Sequence, residues 1–294
     1  MTALYRVGTA DGVRLAKGEA EGGPVDLLPA TADVDALLAD GAGALRRVLD
    51  EPAAGPVPAG ATVLPPVAGQ EIWASGVTFE RSRAARNEEA GRVDYYDRVY
   101  SALRPELFVK ASPGRTRGAD QPIGVRVDSG WDVPEPELGL VADAGGRLSA
   151  YTVGDDVSSR SIEGETPLYL PQVKVYTGSC AVGPGLVPVD TAPPFEQLRI
   201  LLTIRRDGAV LFADSVPLSA MRRTPDELLW WLFQAMEFPV GVVVLSGTSI
   251  VPPPEFTLQP GDLVEVRVPG VGVLTNPVES VGRPVPESRE EVAS

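Results

Sequence analysis

Glu135 and Glu137 stand two residues apart in the run Val133-Pro-Glu-Pro-Glu-Leu-Gly-Leu-Val141. On a strand, side chains two apart share a face, so the two carboxylates would point the same way. Asp143-Ala144-Gly145-Gly146 reads as a hairpin turn, and the strand returning from it ends in Gly154-Asp155-Asp156-Val157-Ser158. A third carboxylate thus arrives beside the first two. Three hard oxygen donors converging from neighbouring strands suit Mg²⁺, Mn²⁺ or Ca²⁺ and leave positions open for a chelating substrate. The same spacing also fits two solvated strand-edge charges and an acidic turn.

Composition narrows the chemistry further. The 294 residues contain no His, which removes Ser-His-Asp and Cys-His catalysis and His-ligated zinc. Proton transfer must then use a carboxylate, Lys, Tyr or metal-bound water. Of the 26 basic residues only Lys17, Lys110 and Lys174 are Lys. Arg cannot deprotonate, whereas Lys can when burial or a neighbouring cation lowers its pKa. Lys17 lies in a polar stretch; Lys110 and Lys174 lie in apolar or motif-rich ones. A net charge of −14 argues against nucleic acid and anionic membrane surfaces as partners. The single Cys180 excludes an intrachain disulfide framework and fits a core position in a reducing compartment. With no signal-like start and no apolar run of membrane-spanning length, the expectation is a cytoplasmic protein.

The elements that must position these residues are mostly strands. Residues 1–65 read as a small α/β unit: strands around Leu4–Val7 and Val13–Ala16, then a helix from Asp33 to Leu49 that Gly41 and Gly43 weaken. The Pro/Gly-rich stretch 51–60 leads to a boundary near 65. A β-rich unit over 66–282 follows, with a charged helical stretch from Phe79 to about Leu103, a hairpin at Asp207-Gly208, and a polar tail over 283–294. Thr224-Pro225-Asp226-Glu227 is a capping box with Pro at N1 and predicts a helix to about Phe238, apolar all round at Leu228–Phe233 and so buried or at an interface.

Several motifs occur in an order that resembles the fumarylacetoacetate hydrolase superfamily. They are Pro136-Glu-Leu-Gly-Leu-Val, Leu148-Ser-Ala-Tyr-Thr-Val-Gly-Asp-Asp-Val-Ser158, Gln172-Val-Lys174, Gly183-Pro184, Leu245-Ser-Gly-Thr-Ser249, Leu258-Gln-Pro-Gly-Asp262 and Gly272-Val-Leu-Thr-Asn-Pro277. The resemblance covers roughly residues 70 to 282. It implies an α+β, β-rich fold: the mixed β-sandwich roll of that superfamily, preceded by the small N-terminal unit. It also implies that Glu135, Glu137 and Asp156 bind one divalent cation, usually Mg²⁺, with Asp155 where the family often has Asn.

Members that hydrolyse carbon–carbon bonds use a His in the region that here reads Ser75-Gly-Val-Thr-Phe-Glu-Arg-Ser-Arg-Ala-Ala-Arg86. That segment and Tyr100–Phe108 look instead like the branch that dehydrates 2-keto-3-deoxy sugar acids, the 2-dehydro-3-deoxy-pentonate dehydratases. The implied reaction is Mg²⁺-dependent dehydration through an enolate to 2-oxoglutarate semialdehyde, in pentose catabolism. Lys174 is then the candidate base for the C3 proton, or an electrostatic clamp. Glu106 is the candidate acid for the C4 hydroxyl, or a structural residue. Arg83 and Arg86, three apart on a helical stretch, are candidates for holding distal hydroxyls, or a solvated face. Thr248 is the candidate for the substrate carboxylate, with Gly247 permitting close backbone approach. Two alternatives stand beside this: a hydrolase or decarboxylase on a diketo acid such as an acylpyruvate, and a non-catalytic binding or scaffold subunit. The expected partners are a small 2-keto acid and a second copy of the chain, in a homodimer or a higher homo-oligomer.

Overall fold

The computed structural model describes residues 1–41, 43–80 and 95–284. Strands β1 (Thr2–Thr9), β2 (Gly12–Glu19) and β3 (Gly23–Leu27) form an antiparallel meander. Helices α1 (Val34–Asp40) and α2 (Ala44–Asp50) follow. The single helix expected over 33–49 is two, because the intervening glycines adopt left-handed backbone, φ +83° at Gly41 and +82° at Gly43. Strands β4 (Gly55–Pro56) and β5 (Thr62–Leu64) close this part.

The chain continues through β6 (Glu71–Gly76), α3 (Tyr95–Ser101), β7 (Glu106–Ala111), β8 (Ile123–Arg126) and β9 (Asp132–Val133). The hairpin β10 (Pro136–Ala142) and β11 (Leu148–Asp156) comes next, then β12 (Ser158–Ser159), α4 (Arg160–Glu165), α5 (Leu170–Lys174) and β13 (Cys180–Pro188). A second hairpin, β14 (Arg199–Arg206) and β15 (Ala209–Pro217), turns at Asp207-Gly208 with both residues at positive φ. Last come α6 (Pro225–Leu232), β16 (Val242–Leu245), β17 (Leu263–Val268) and β18 (Gly272–Val281).

One sheet runs β4-β3-β2-β1-β13-β11-β10-β16-β6-β7, with β5 beside β1; a second runs β15-β14-β17-β18-β8. Pairing is antiparallel except for β16 with β6 and β18 with β8. This is the mixed, β-rich architecture expected. β10 shows why it is stable: alternate residues go to opposite faces. Leu138, Leu140 and Ala142 pack with Ile200, Leu202, Val264 and Val266 of the second sheet. Val141 packs on the other side with Leu38, Leu45 and Leu49 of the first two helices. Covered on both faces, β10 is buried along its whole length. The first 65 residues are continuous with the rest through β1, which pairs with β13 at Leu4 and Leu186.

Two motifs are structural. Asp262 takes two bonds from Arg206, at 2.6 and 2.8 Å. Asn276 donates to the carbonyls of Gly118 and Gln121. At α6 the Thr224 hydroxyl accepts from Glu227 N as expected, but the helix ends at Leu232 rather than Phe238. Nor is its apolar run buried all round: Leu228, Leu229 and Leu232 are buried while Trp230 is 57% exposed.

Candidate active site

The β10–β11 register brings the acidic residues together. Pro136 lies opposite Asp155, and Asp156 N donates to Glu135 O at 2.9 Å. Glu135, Glu137 and Asp156 each offer an oxygen within 4.8 Å of the others, and all three are buried. The solvated-charge alternative is thereby excluded. Burial, then the charges of Asp156 and Glu135, push the Glu137 carboxyl well above the usual carboxylate range. Glu137 Oε2 accepts from Gly247 N at 2.7 Å, and among the described residues no Lys or Arg pairs with it. An all-oxygen donor set with one carboxylate lacking a cationic side chain fits a small divalent cation.

Asp155 does different work. Its Oδ1 accepts from Glu135 N at 3.0 Å, so it holds the strand that carries Glu135. Burial, reinforced by the charge of Asp156, pushes its carboxyl up to about 7. A raised carboxyl costs stability as pH rises from the ordinary value, about 4, to the raised one. Asp155→Asn keeps the acceptor and lacks that cost. It is expected to leave Mg²⁺ affinity within about threefold and to flatten the loss of stability across that window. Asp156→Asn is expected to weaken Mg²⁺ by at least about tenfold. Calorimetric Mg²⁺ titration of both variants checks the assignment; the reverse ranking would make Asp155 the ligand.

Lys174, the last residue of α5, reaches the acidic group. Its Nζ donates to Glu135 Oε2 at 2.8 Å, Asp156 Oδ2 at 3.1 Å and Ser158 Oγ at 2.6 Å. The Phe108 ring lies 5.7 Å from it. A cavity opens over these groups, lined also by Ser75, Gly76, Val77, Gly247, Thr248 and Val251. Val77, at φ +53°, is a β-branched residue in left-handed backbone, a strained conformation at the cavity wall. Thr248 lines the cavity, and its hydroxyl accepts from Ile250 N at 3.2 Å. The close approach at Gly247 is to protein: a Cβ there would lie 2.1 Å from Thr78 Oγ1 and 2.8 Å from Ser75 O. Glu106 sits opposite Gly76, its carboxylate over the Gly76 backbone, where a Cβ would meet Oε2 at 2.1 Å. Arg83 and Arg86 lie outside the described residues.

Two charged residues join the site that the candidate set omits. Arg160 Nη2 lies 3.1 Å from Glu135 Oε1, and its Nη1 is 2.8 Å from Glu163 Oε2. Lys110 Nζ lies 2.5 Å from Asp156 Oδ1 with no exposed surface. A signal for Lys110 existed: it follows Glu106 and Phe108 at period two on one strand. No spacing rule marks Arg160.

A family model for the fumarylacetoacetate (FAA) hydrolase C-terminal region matches residues 133–279. The chain is 51% identical over 217 residues to a probable 2-keto-3-deoxyxylonate dehydratase of Haloferax volcanii, covering 74% of each. It is 42% identical over 219 residues to the 2-dehydro-3-deoxy-D-arabinonate dehydratase of Saccharolobus solfataricus, covering 73% of each. A solved structure of 2-keto-3-deoxy-D-arabinonate dehydratase complexed with magnesium and 2,5-dioxopentanoate superposes with a TM-score of 0.81. It is 33% identical, and the match covers 96% of this chain and 100% of that one.

Proposed function

Because the chain belongs to the fumarylacetoacetate hydrolase family, we propose that it dehydrates a 2-keto-3-deoxy sugar acid in a Mg²⁺-dependent reaction. The substrate is a 2-dehydro-3-deoxy-pentonate and the product is 2-oxoglutarate semialdehyde, also called 2,5-dioxopentanoate. The observation that carries this reading is the buried Glu135–Glu137–Asp156 group with Lys174 bonded to two of its members, in a chain without His.

Mg²⁺ held by the three carboxylates supplies a Lewis acid that stabilises the charge developing on the keto oxygen as C3 loses its proton. Mn²⁺ or Ca²⁺ suits the same donors. Lys174 is assigned as the base that takes the C3 proton, and Thr248 as the donor that orients the substrate carboxylate. The C3–H pair becomes the enolate π bond and then the C3=C4 bond as the C4 hydroxyl departs. Glu106 is assigned as the acid that delivers the proton with which it leaves as water. To reach the aldehyde, a proton must then leave C5 and one must return to C3. The resulting C4=C5 enol takes a proton at C4 and gives up its C5 hydroxyl proton, leaving the aldehyde. Every transfer is within the capacity of one Lys and one Glu working in alternation. Phe108, Val77 and Val251 supply apolar wall against stray water. Arg83 and Arg86 are assigned to the distal hydroxyls.

Purified protein with Mg²⁺ and 2-keto-3-deoxy-pentonate is expected to give one five-carbon aldehyde by NMR and none with chelator. Two carbon fragments from an acylpyruvate, and no dehydration, would instead favour the hydrolase. We place the enzyme in cytoplasmic pentose catabolism, where the reactive aldehyde needs an oxidising enzyme to consume it. We also propose a homodimer, in which Trp230, Leu168 and Leu103 (57%, 86% and 79% exposed) are covered. Light scattering at micromolar concentration should give twice the 31.0 kDa chain mass; a monomer refutes the assembly.

A further inference from the structure

Lys110 is wholly buried behind the acidic group, and its ammonium faces three acceptors. They are Asp156 Oδ1 at 2.5 Å, Val157 O at 2.9 Å and Lys174 O at 2.6 Å. The two carbonyls accept hydrogen bonds from it, and the carboxylate oxygen faces it as an ion pair. The partners form a closed circuit. Lys174 O belongs to the residue whose own Nζ bonds the other oxygen of the same carboxylate, Asp156 Oδ2, at 3.1 Å. From Lys110 the path runs through Asp156 to the Lys174 side chain, along that side chain to its carbonyl, and back.

The carbonyl needs such an anchor. Lys174 ends a helix of five residues, where the last carbonyls lack helical partners. Ser179 Oγ lies 2.9 Å from both the Lys174 and the Tyr176 carbonyls, which share its one proton. An unanchored helix of that length would let the backbone that carries the Lys174 side chain shift against the acidic group that its Nζ bonds. Replacing a buried ion pair by apolar groups is often neutral for stability, so folding alone gives weak reason for a Lys here. Arg would not substitute, because its planar fork cannot meet two carbonyls and a carboxylate that converge on one point. In a chain where 23 of 26 basic residues are Arg, this position carries Lys.

We propose that Lys110 is a positioning residue for the dehydration: it fixes the Lys174 main chain and the Asp156 carboxylate in one frame, so that Lys174 Nζ is aimed at the reacting carbon. The inference rests on the dehydratase reading above. It assigns Lys110 no contact with substrate.

The test uses the full chain at saturating Mg²⁺. Lys110→Met keeps the unbranched stem and removes the ammonium. A misplacement of about 1 Å can cost about 10²-fold in rate. The folded variant is therefore expected to lose about that much kcat, with KM for 2-keto-3-deoxy-pentonate within about threefold of wild type. Ser179→Ala removes the hydroxyl that the Lys174 and Tyr176 carbonyls share and leaves no buried charge unpaired. It is expected to lose kcat by about three- to tenfold, also at constant KM, and the double variant should lose less than the product of the two effects. A folded Lys110→Met with near-wild-type kcat and only a lower melting temperature overturns the proposal, because a merely structural role predicts that. Should Lys110→Met not fold, wild-type kcat in Ser179→Ala overturns it alone. Absence of dehydration by the wild type would overturn the dehydratase reading, and this inference with it.

Discussion

Glu137→Gln is expected to abolish turnover and, without metal, to raise the melting temperature rather than lower it. Glu137 is the member of the acidic group with which no Lys or Arg forms an ion pair among the described residues, and burial holds its carboxyl well above the usual range. An acid whose pKa is raised by folding takes up a proton as the chain folds. Stability is therefore lost as pH rises from the ordinary carboxylate value through the raised one, and the loss is complete above it. Gln can still accept from Gly247 N and carries no charge, so at pH 8 with chelator the variant should melt above wild type.

Magnesium should reverse that order. A ligand at a thousand times its Kd stabilises by about 4 kcal/mol, which wild type gains and the variant largely forgoes. A Lewis acid is worth several kcal/mol of transition-state stabilisation, so turnover should fall by about three orders of magnitude or more. Melting curves at pH 6 and pH 8, with chelator and with Mg²⁺, check all of this. A variant that melts below wild type in chelator at pH 8, and keeps the full Mg²⁺ shift, would remove Glu137 from the ligand set.

What could be read before the structure differs from residue to residue. Glu135, Glu137 and Asp156 were legible because strand periodicity and a strong turn leave few arrangements, and because ordered motifs flank them. The choice of Asp156 over Asp155 came from the resemblance, and its physical reason needed the fold. Adjacent strand residues face opposite ways, and only the register shows that Asp155 turns to Glu135 N. The split of the 33–49 helix turns on two glycines whose positive φ propensity permits but does not require. The apolar run Leu228–Phe233 suggested a helix buried or at an interface; α6 instead ends at Leu232 with Trp230 exposed, and Phe238 is buried beyond the helix. Arg160 was invisible because its partner Glu135 lies 25 residues away on another element, and no local rule spans that distance.

Lys174→Arg carries the sharpest consequence for the chemistry. Lys174 Nζ bonds Glu135, Asp156 and Ser158, so the position demands a cation-shaped donor, and Arg retains the charge. What Arg cannot do is give up a proton and take one from C3. If Lys174 is the base, turnover should fall by about two to four orders of magnitude. Mg²⁺ affinity and KM should change much less, because the carboxylates and the substrate's own chelating oxygens remain. Solvent deuterium should no longer appear at C3 in substrate recovered from the variant, whereas the wild type should exchange it. The exchange readout separates two failures that turnover alone would merge. A misplaced metal lowers exchange and Mg²⁺ affinity together; a missing base removes exchange at unchanged affinity. Near-normal turnover in Lys174→Arg would make Lys174 an electrostatic clamp. The C3 proton would then pass to Glu106, whose carboxylate lies over Gly76 of the cavity wall, or to metal-bound water.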